Sequence, residues 1–464
     1  MNNNENDAAS EKGFRPLQRI IKKIRKNFPG KRPAENHSSY SFGRKMLFRA
    51  IVRSRHSAHH LNIFFRWIVL ALIMGLICGV IGAMFRKCLD FAAEYSSANE
   101  WTLFLLPAAG VLIIFLYQIC NNLDDKGTDS ILQSARGESA ARLCTAPLIF
   151  LSTFLTHICQ GSAGREGAAL QIGGGIGSFL GRRFHLDQYE QQMAVMCGMS
   201  ASFCALLGTP LTAAVFTIEV AGVGTVFYAG LVPSVLASMT AMVTARFFGI
   251  QPAAFAAAEA QQQDPAMFLK VILLAMIMAL MSIFYCSSIH TARNLYSRVF
   301  SSPYLLILAG GALVILLTML FGVRDYNGLG MPVITDALNG HSSPQDFILK
   351  LLLTAVTLGA GYKGGEIVPT FYIGATLGCT IAPLLGLDPM LAAELALVGL
   401  FCGTVNCPIA SILLSVELFG SDNFIFFGTT AAVSYMLSGY YSLYSGQKFM
   451  NSKLIPVSFE RNAR

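Results

Sequence analysis

The sequence predicts an all-α, polytopic membrane protein, built as two related helical halves whose helices break near the membrane midplane. Three observations predict it: a composition poor in charge, a series of long apolar runs, and an order of glycine, glutamate and proline that occurs twice. Of the 464 residues, 54% are hydrophobic and 13% charged, with a mean hydropathy of +0.54; an average soluble domain carries about 25% charge. A chain this long would suit two or three soluble domains, but no polar linker separates them. Instead, runs at 67–85, 103–120, 229–248, 268–289 and 304–321 approach the ~20 residues that span a bilayer. Any one of them suits a buried core helix, but so many in series do not.

The charge is concentrated at one end. Residues 1–60 hold 14 Lys and Arg against 4 Asp and Glu, a net of +10, while the whole chain is +8. Everything after His60 therefore sums to −2. Asn, Ser and Pro content and the lack of apolar runs predict a largely disordered tail over 1–60. Within it, Lys22, Lys23, Arg25 and Lys26 alternate with Ile20, Ile21 and Ile24, a pattern for a short amphipathic helix on anionic lipid. Nucleic acid is the usual partner of a basic arm, but an arm leading into a membrane bundle argues against it. The positive-inside rule puts the tail in the cytoplasm. No apolar stretch or small-residue cleavage site follows its first basic residues, so it does not read as a signal peptide.

Eleven cysteines are present, most inside apolar runs, with no CxxC pair and no Cys/His cluster at zinc spacing. They read as small hydrophobes packed between helices. Neither metal nor cofactor is expected.

The repeat carries the functional signal. Gly164-Arg165-Glu166-Gly167 opens a glycine-studded segment through Gly173 and Gly177; Gly208-Thr209-Pro210 follows, and an apolar run ends at Glu219. Further on, Gly364-Gly365-Glu366 opens a segment through Gly374 and Gly378, followed by Asn406-Cys407-Pro408 and a run ending at Glu417. The step from Pro210 to Glu219 equals that from Pro408 to Glu417, and the steps from Glu166 to Pro210 and from Glu366 to Pro408 differ by two residues.

Short repeated segments interrupted by Gly or Pro point to a transport site at the repeat interface. Lipid cannot hydrogen-bond an exposed N–H, so a helix starts mid-membrane only where it is buried or lines a watery cavity. Such a start offers free N–H groups and about half a positive charge, which attract an anion. Gly164, Gly167, Gly364 and Gly365 let amides approach an ion closely. Tight helix packing alone explains the glycines after Glu166, but not a glutamate at the same place in both halves. An ionisable group within the membrane is a functional candidate by default. The carboxylate of Glu166, at a helix start, can occupy the place of an anion and leave it on protonation. Glu219 and Glu417, at far helix ends, read as structural. Arg165 reads either as the partner of an acidic group or as an anion ligand.

At these residues the chain resembles the CLC family of chloride channels and halide/proton antiporters. Gly164-Arg165-Glu166-Gly167 is similar to that family's GREGP motif, with Ala168 in place of the proline. Gly364-Gly365-Glu366-Ile367-Val368-Pro369 is similar to its GGxxxP motif, and Ser442-Leu443-Tyr444 falls where the family places an anion-coordinating tyrosine. Gly127-Thr128-Asp129-Ser130-Ile131 is the candidate for its GSGIP motif, with Thr128 as the anion-binding residue and an Asp unexpectedly beside it. The resemblance implies an inverted repeat and a homodimer with one pathway per subunit. It implies gating and proton transfer by Glu166 and Glu366. It also implies anion contacts from Tyr444, Thr128, Gly164, Arg165, Gly167, Gly365, Ile367 and Val368. The transport region would cover 61–450, with halves of about 61–250 and 265–450, leaving a short tail at 451–464 and no CBS domains. The chloride antiporters' internal proton glutamate, counted back from Pro210, would fall at Tyr189, with Glu190 beside it. Glu366 resembles a glutamate of the fluoride/proton branch, which also tends to carry a threonine where Val368 stands.

The expected activity is therefore transport of chloride or fluoride in exchange for protons, with a passive anion channel as the alternative. The expected partners are halide, protons, lipid and a second copy, and not nucleic acid. An enzyme would need a nucleophile and base; Ser162 and His157 are near, but no GxSxG or HExxH pattern occurs. The glycines at 173–177 lack the lysine of a phosphate-binding loop. Mid-membrane carboxylates suit a cation transporter, but paired helix N-termini do not.

Overall fold

The structure, a computed structural model, describes residues 38–464 apart from 254, 323, 456, 457 and 464, with side chains from 61 onward except those of 458 and 459. It divides into two units, Met1–Phe64 and Phe65–Arg464. The expected amphipathic helix over 20–26 lies outside the described residues. Of the tail expected to be largely disordered, residues 38–60 are described, and their backbone is helical from Ser38. Met46, Leu47, Ile51 and Val52 recur at helical spacing among arginines, which are good helix formers.

The chain is an inverted-repeat helical bundle. In order come α1 (Ser38–Ala98), a 3-10 turn (Glu100–Leu105), α2 (Leu106–Ile119), α3 (Thr128–Ala135), α4 (Thr145–Ile158), α5 (Glu166–Arg183), α6 (Gln188–Leu207) and α7 (Pro210–Ala221). After the two-residue strand β1 (Gly222–Val223) and a second 3-10 turn (Tyr228–Gly230) come α8 (Leu231–Phe247), α9 (Pro265–Val299), α10 (Pro303–Phe321), α11 (Met331–Leu338) and α12 (Asp346–Gly359). Then come α13 (Ile367–Leu385), α14 (Pro389–Val405), α15 (Pro408–Phe419) and α16 (Phe424–Leu437), and last β2 (Lys448–Asn451) and β3 (Ser458–Asn462). Proline sits in the first turn of α7, α9, α10, α14 and α15, where its missing N–H is no loss. Asp264 and Asp388 cap α9 and α14, and Asp187 with Glu190 forms a capping box on α6.

Six described stretches are long and apolar enough to cross a membrane: Leu61–Ala98, Glu100–Ile119, Tyr228–Phe247, Pro265–Val299, Pro303–Phe321 and Ile367–Leu385. The five expected runs fall within the first five to within one residue at their ends. The chain is a multi-pass membrane protein. α5 packs on α6 through glycine: a Cβ on Gly173 would overlap Gly198 O, and one on Gly177 would overlap Ala194 O. α13 packs on α14 in the same way, with Gly374 against Ala396 and Gly378 against Ala392. Packing of small residues thus explains these four glycines.

Glu219 and Glu417 act across the two halves. The carboxylate of Glu417 accepts from the N–H groups of Leu211 and Thr212, both at 2.9 Å, at the start of α7. That of Glu219 accepts from Ile409 (3.2 Å) and Ala410 (2.8 Å) at the start of α15. Each Pro-started helix therefore ends in the carboxylate that caps the other, which satisfies donors a helix start leaves free.

One element departs from the all-α expectation. β2 pairs parallel with β1 and antiparallel with β3, so residues 458–462 form a strand where a plain tail was expected. The alternation in Lys448-Phe449-Met450-Asn451 buries Phe449 and leaves the lysine to pair with Glu138 and Glu460.

Candidate functional site

The two glutamate-bearing loops meet nose to nose. Gly164 N–H donates to Gly365 O at 2.6 Å, and Gly365 N–H donates to Gly164 O at 2.7 Å. A Cβ on Gly365 would sit 2.7 Å from Gly167 N, 3.0 Å from Glu166 N and 3.1 Å from Arg165 N; one on Gly164 would sit 2.9 Å from Gly365 O and 3.1 Å from Val368 N. Only glycine lets each loop lie directly on the other helix's opening amides. The starts of α5 and α13 thus converge, and two positive helix ends share one buried region. Ile367 and Val368, expected as anion contacts, are the first residues of α13 and are buried.

Glu166 is fully buried. Its Oε2 accepts from Arg165 N–H at 3.1 Å, while Oε1 lies 3.5 Å from Arg165 Nε and has no hydrogen-bond partner among the described residues. The Arg165 guanidinium reaches Asp90 at 3.2 Å, and Asp90 pairs in turn with Arg86 at 3.0 Å. Arg165 is therefore placed as the partner of two carboxylates. Arg86, Asp90 and Arg165 line a cavity of about 770 Å³ together with Arg324 and Gly328. This vestibule reaches the site next to Glu166.

Glu366 stands at the cap position of α13, on the other nose. Its carbonyl accepts from Tyr285 Oη (3.2 Å) and Thr370 Oγ1 (2.9 Å), which fixes the backbone and leaves the carboxylate to point inward. Glu366 Oε2 has no hydrogen-bond partner among the described residues. A Cβ on Gly167 would lie 3.1 Å from that oxygen and 3.4 Å from Thr128 Oγ1, so Gly167, Glu366 and Thr128 enclose one small space. Thr128 opens α3, is buried, and accepts from Gln171 Nε2 at 3.3 Å. Gln171 Oε1 is left without a hydrogen-bond partner among the described residues.

Tyr444 completes the site. It is 1% exposed, its Oη has no hydrogen-bond partner among the described residues, and it lies within electrostatic reach of Glu366, Asp129 and Glu166. Asp129 is no longer odd. Its Oδ2 accepts from Ser445 Oγ at 2.5 Å and its Oδ1 from Gly446 N–H at 2.9 Å, so it fastens the Tyr444 loop to the start of α3. His290 Nε2 lies 2.8 Å from Ser442 O on the other side of the same loop. A second cavity, of about 250 Å³, is lined by Asp129, Ser445 and Gly446, so the site lies between two openings.

Other expected residues stand elsewhere. Tyr189 is 70% exposed at the far end of α6, and Glu190 there caps the helix and pairs with Arg66. Ser162 Oγ bonds Tyr326 O (2.9 Å) and Thr354 Oγ1 (3.0 Å), while His157 Nδ1 faces Thr153 O; the two form no nucleophile–base pair. Sequence reasoning assigned no role to Asp129, Gln171 or Lys350. Lys350 is fully buried and donates to Tyr326 O (3.1 Å) and Gly328 O (2.8 Å) with its ammonium 5.1 Å from the Tyr372 ring centroid. It holds the vestibule wall. A lysine inside the apolar helix at 346–359 was the signal available for it.

A family profile described as voltage gated chloride channel matches residues 109–439. A chloride/fluoride channel protein of Pseudomonas syringae pv. tomato is 31% identical over 395 residues, covering 84% of this chain and 87% of that protein. An H+/Cl− exchange transporter of Vibrio campbellii is 21% identical, over 76% of this chain and 82% of the relative. Among solved structures, a CLC-type fluoride/proton antiporter superposes with a TM-score of 0.81 at 30% identity, covering 83% of this chain and 98% of the other. A slow cyanobacterial Cl−/H+ antiporter shares the fold, with a TM-score of 0.70 at 20% identity over 80% and 94% of the two chains.

Proposed function

The chain belongs to the voltage-gated chloride channel (CLC) family, and from that premise we propose that it exchanges a small halide for protons across a membrane. The observation that carries this reading is the convergence of two helix N-termini on three buried atoms without a hydrogen-bond partner among the described residues: Glu166 Oε1, Glu366 Oε2 and Tyr444 Oη. The helix ends and the phenol attract an anion. The carboxylates take up and release protons. In this reading Glu166 is the gate between the vestibule and the interior: ionised, it fills the anion's place, and protonated, it yields that place. Tyr444 and Thr128 hold the anion from the opposite side.

Fluoride is the preferred substrate in this proposal. Glu366 supports it, since a protonated carboxylic acid donates a short, strong hydrogen bond to a small anion. The two relatives near 30% identity carry fluoride in their names, whereas the chloride exchangers are near 20%. We further propose a homodimer with its amino-terminal segment in the cytoplasm. Exposed Leu211, Val232, Val243, Ile409 and Phe424 support apolar cover by lipid or by a second copy.

The test is flux of fluoride, then chloride, from proteoliposomes with pH recorded at the same time. A fluoride gradient that drives protons uphill supports exchange. Halide flux with no proton movement would leave a passive channel instead.

A further inference from the structure

Among the described residues, two cations near Glu366 belong neither to the vestibule nor to any ion pair. Lys363 stands three residues before Glu366, partly exposed, with its ammonium 4.5 Å from the centroid of the Tyr117 ring. No hydrogen bond or ion pair engages it among the described residues. Arg293, exposed on α9, is likewise without an ion pair or side-chain hydrogen bond among them. Its place is set by close packing: a Cβ on Gly359, at the end of α12, would lie 2.7 Å from Ala292 Cβ and 3.2 Å from Arg293 N. The same helix donates Tyr285 Oη to Glu366 O at 3.2 Å. α9 therefore runs alongside the turn 359–366, with Tyr285 at one end of the stretch and Arg293 at the other.

We propose that Lys363 and Arg293 form a waiting site for one small, partly hydrated halide, on an approach to Glu366 separate from the Arg165 vestibule. This rests on the transport reading above and adds a station to it. A lysine outside any close ion pair holds its charge in play for a mobile anion, and two such cations focus that attraction. Glu366 lies within electrostatic reach of both, and Lys363 also of Asp125. Asp125, whose Oδ2 has no hydrogen-bond partner among the described residues, offsets part of the charge. That keeps the anion weakly held, and conduction requires a site it can leave. The Tyr117 ring supports the ammonium by its π-face.

The site is read without transport by acetylating lysines of the intact wild-type protein with a water-soluble succinimidyl ester, in fluoride, chloride or gluconate. Halide should slow modification of Lys363 about threefold at about twice its dissociation constant, by mass action. Exposed Lys87 should react alike in all three salts. In proteoliposomes, Lys363→Met should raise the half-saturating halide concentration about fivefold, the effect of removing one nearby charge, while Lys363→Arg stays near wild type. Equal modification of Lys363 in halide and gluconate overturns the proposal, and so does an unchanged half-saturation in Lys363→Met. Absence of any halide flux in wild type would instead sink the transport reading, and the protection result would still decide whether the site binds halide.

Discussion

Asp129 and Ser445, 316 positions apart, share a hydrogen bond of 2.5 Å, and this contact sets where the Tyr444 phenol stands. Asp129→Ala removes that acceptor and leaves Gly446 N–H unsatisfied, a loss of about 1–3 kcal/mol. Halide affinity by calorimetry should fall as it does in Tyr444→Phe, although residue 129 is assigned no contact with the anion. Asp129→Asn, which keeps one acceptor, should fall between. Wild-type affinity in Asp129→Ala would show that the loop holds itself.

Glu166→Gln and Glu166→Ala should both abolish proton movement, because neither side chain alternates between acid and carboxylate. Halide flux in the two variants separates their sterics: alanine leaves the path beside Arg165 open, while glutamine still fills it. Coupled flux at the wild-type proton ratio in either variant would remove Glu166 from the mechanism.

Gly167→Ala places a methyl 3.1 Å from Glu366 Oε2 and 3.2 Å from Gly365 Cα. Overpacking of this kind amounts to about 1–3 kcal/mol, here directed at the site, so halide affinity should drop about tenfold. Gly175→Ala on the same helix is the control, since its nearest neighbour would be an ordinary 3.7 Å away. Calorimetry on the two variants side by side makes the comparison.

Loss of a helix cap is worth about 0.5–2 kcal/mol. Glu219→Ala should exceed Glu417→Ala in thermal unfolding, because Glu219 is the more deeply buried of the two. The double variant should lose less than the two losses added, since both loosen the same helix pair. Strict additivity would mean the two caps act independently.

Glu366→Gln keeps the shape of the site and a donor but removes the titrating proton, and Glu366→Ile removes both. The proton ratio should change in both, and fluoride should lose its advantage over chloride chiefly in the isoleucine variant. Fluoride and chloride flux, each with its proton flux, all unchanged in both variants would leave chloride exchange through Glu166 and Tyr444 as the reading to keep.

The parts of the site that were legible in the sequence are those whose signal is local. Gly164, Gly167 and Gly365 announce helix starts by their place before a glutamate, and Pro210 and Pro408 announce theirs by being proline. What needed the structure was long-range. Nothing near Asp129 names Ser445 as its partner, and nothing near Glu219 names Ile409. Gln171 reads as one more residue of a glycine-rich helix until Thr128 is placed beside it. Counting back from Pro210 to Tyr189 crosses all of α6, about 30 Å at 1.5 Å per residue, and so arrives at the far end of the helix from Pro210. The short strands escaped because two to five residues carry too little alternation to distinguish them from loop.

The bridge between Gly164 and Gly365 and the crossed caps at Glu219 and Glu417 fasten the two halves at two separate places. β1 on β2 and Asp129 with Ser445 tie the halves again, so rocking of one half against the other would break several contacts at once. Glu166 and Glu366 sit beside the Gly164–Gly365 bridge. The opening and closing there falls to torsions of single side chains. A step that small resembles the swing of a latch more than the opening of a door, and its rate should depend little on how stiff the surrounding lipid is.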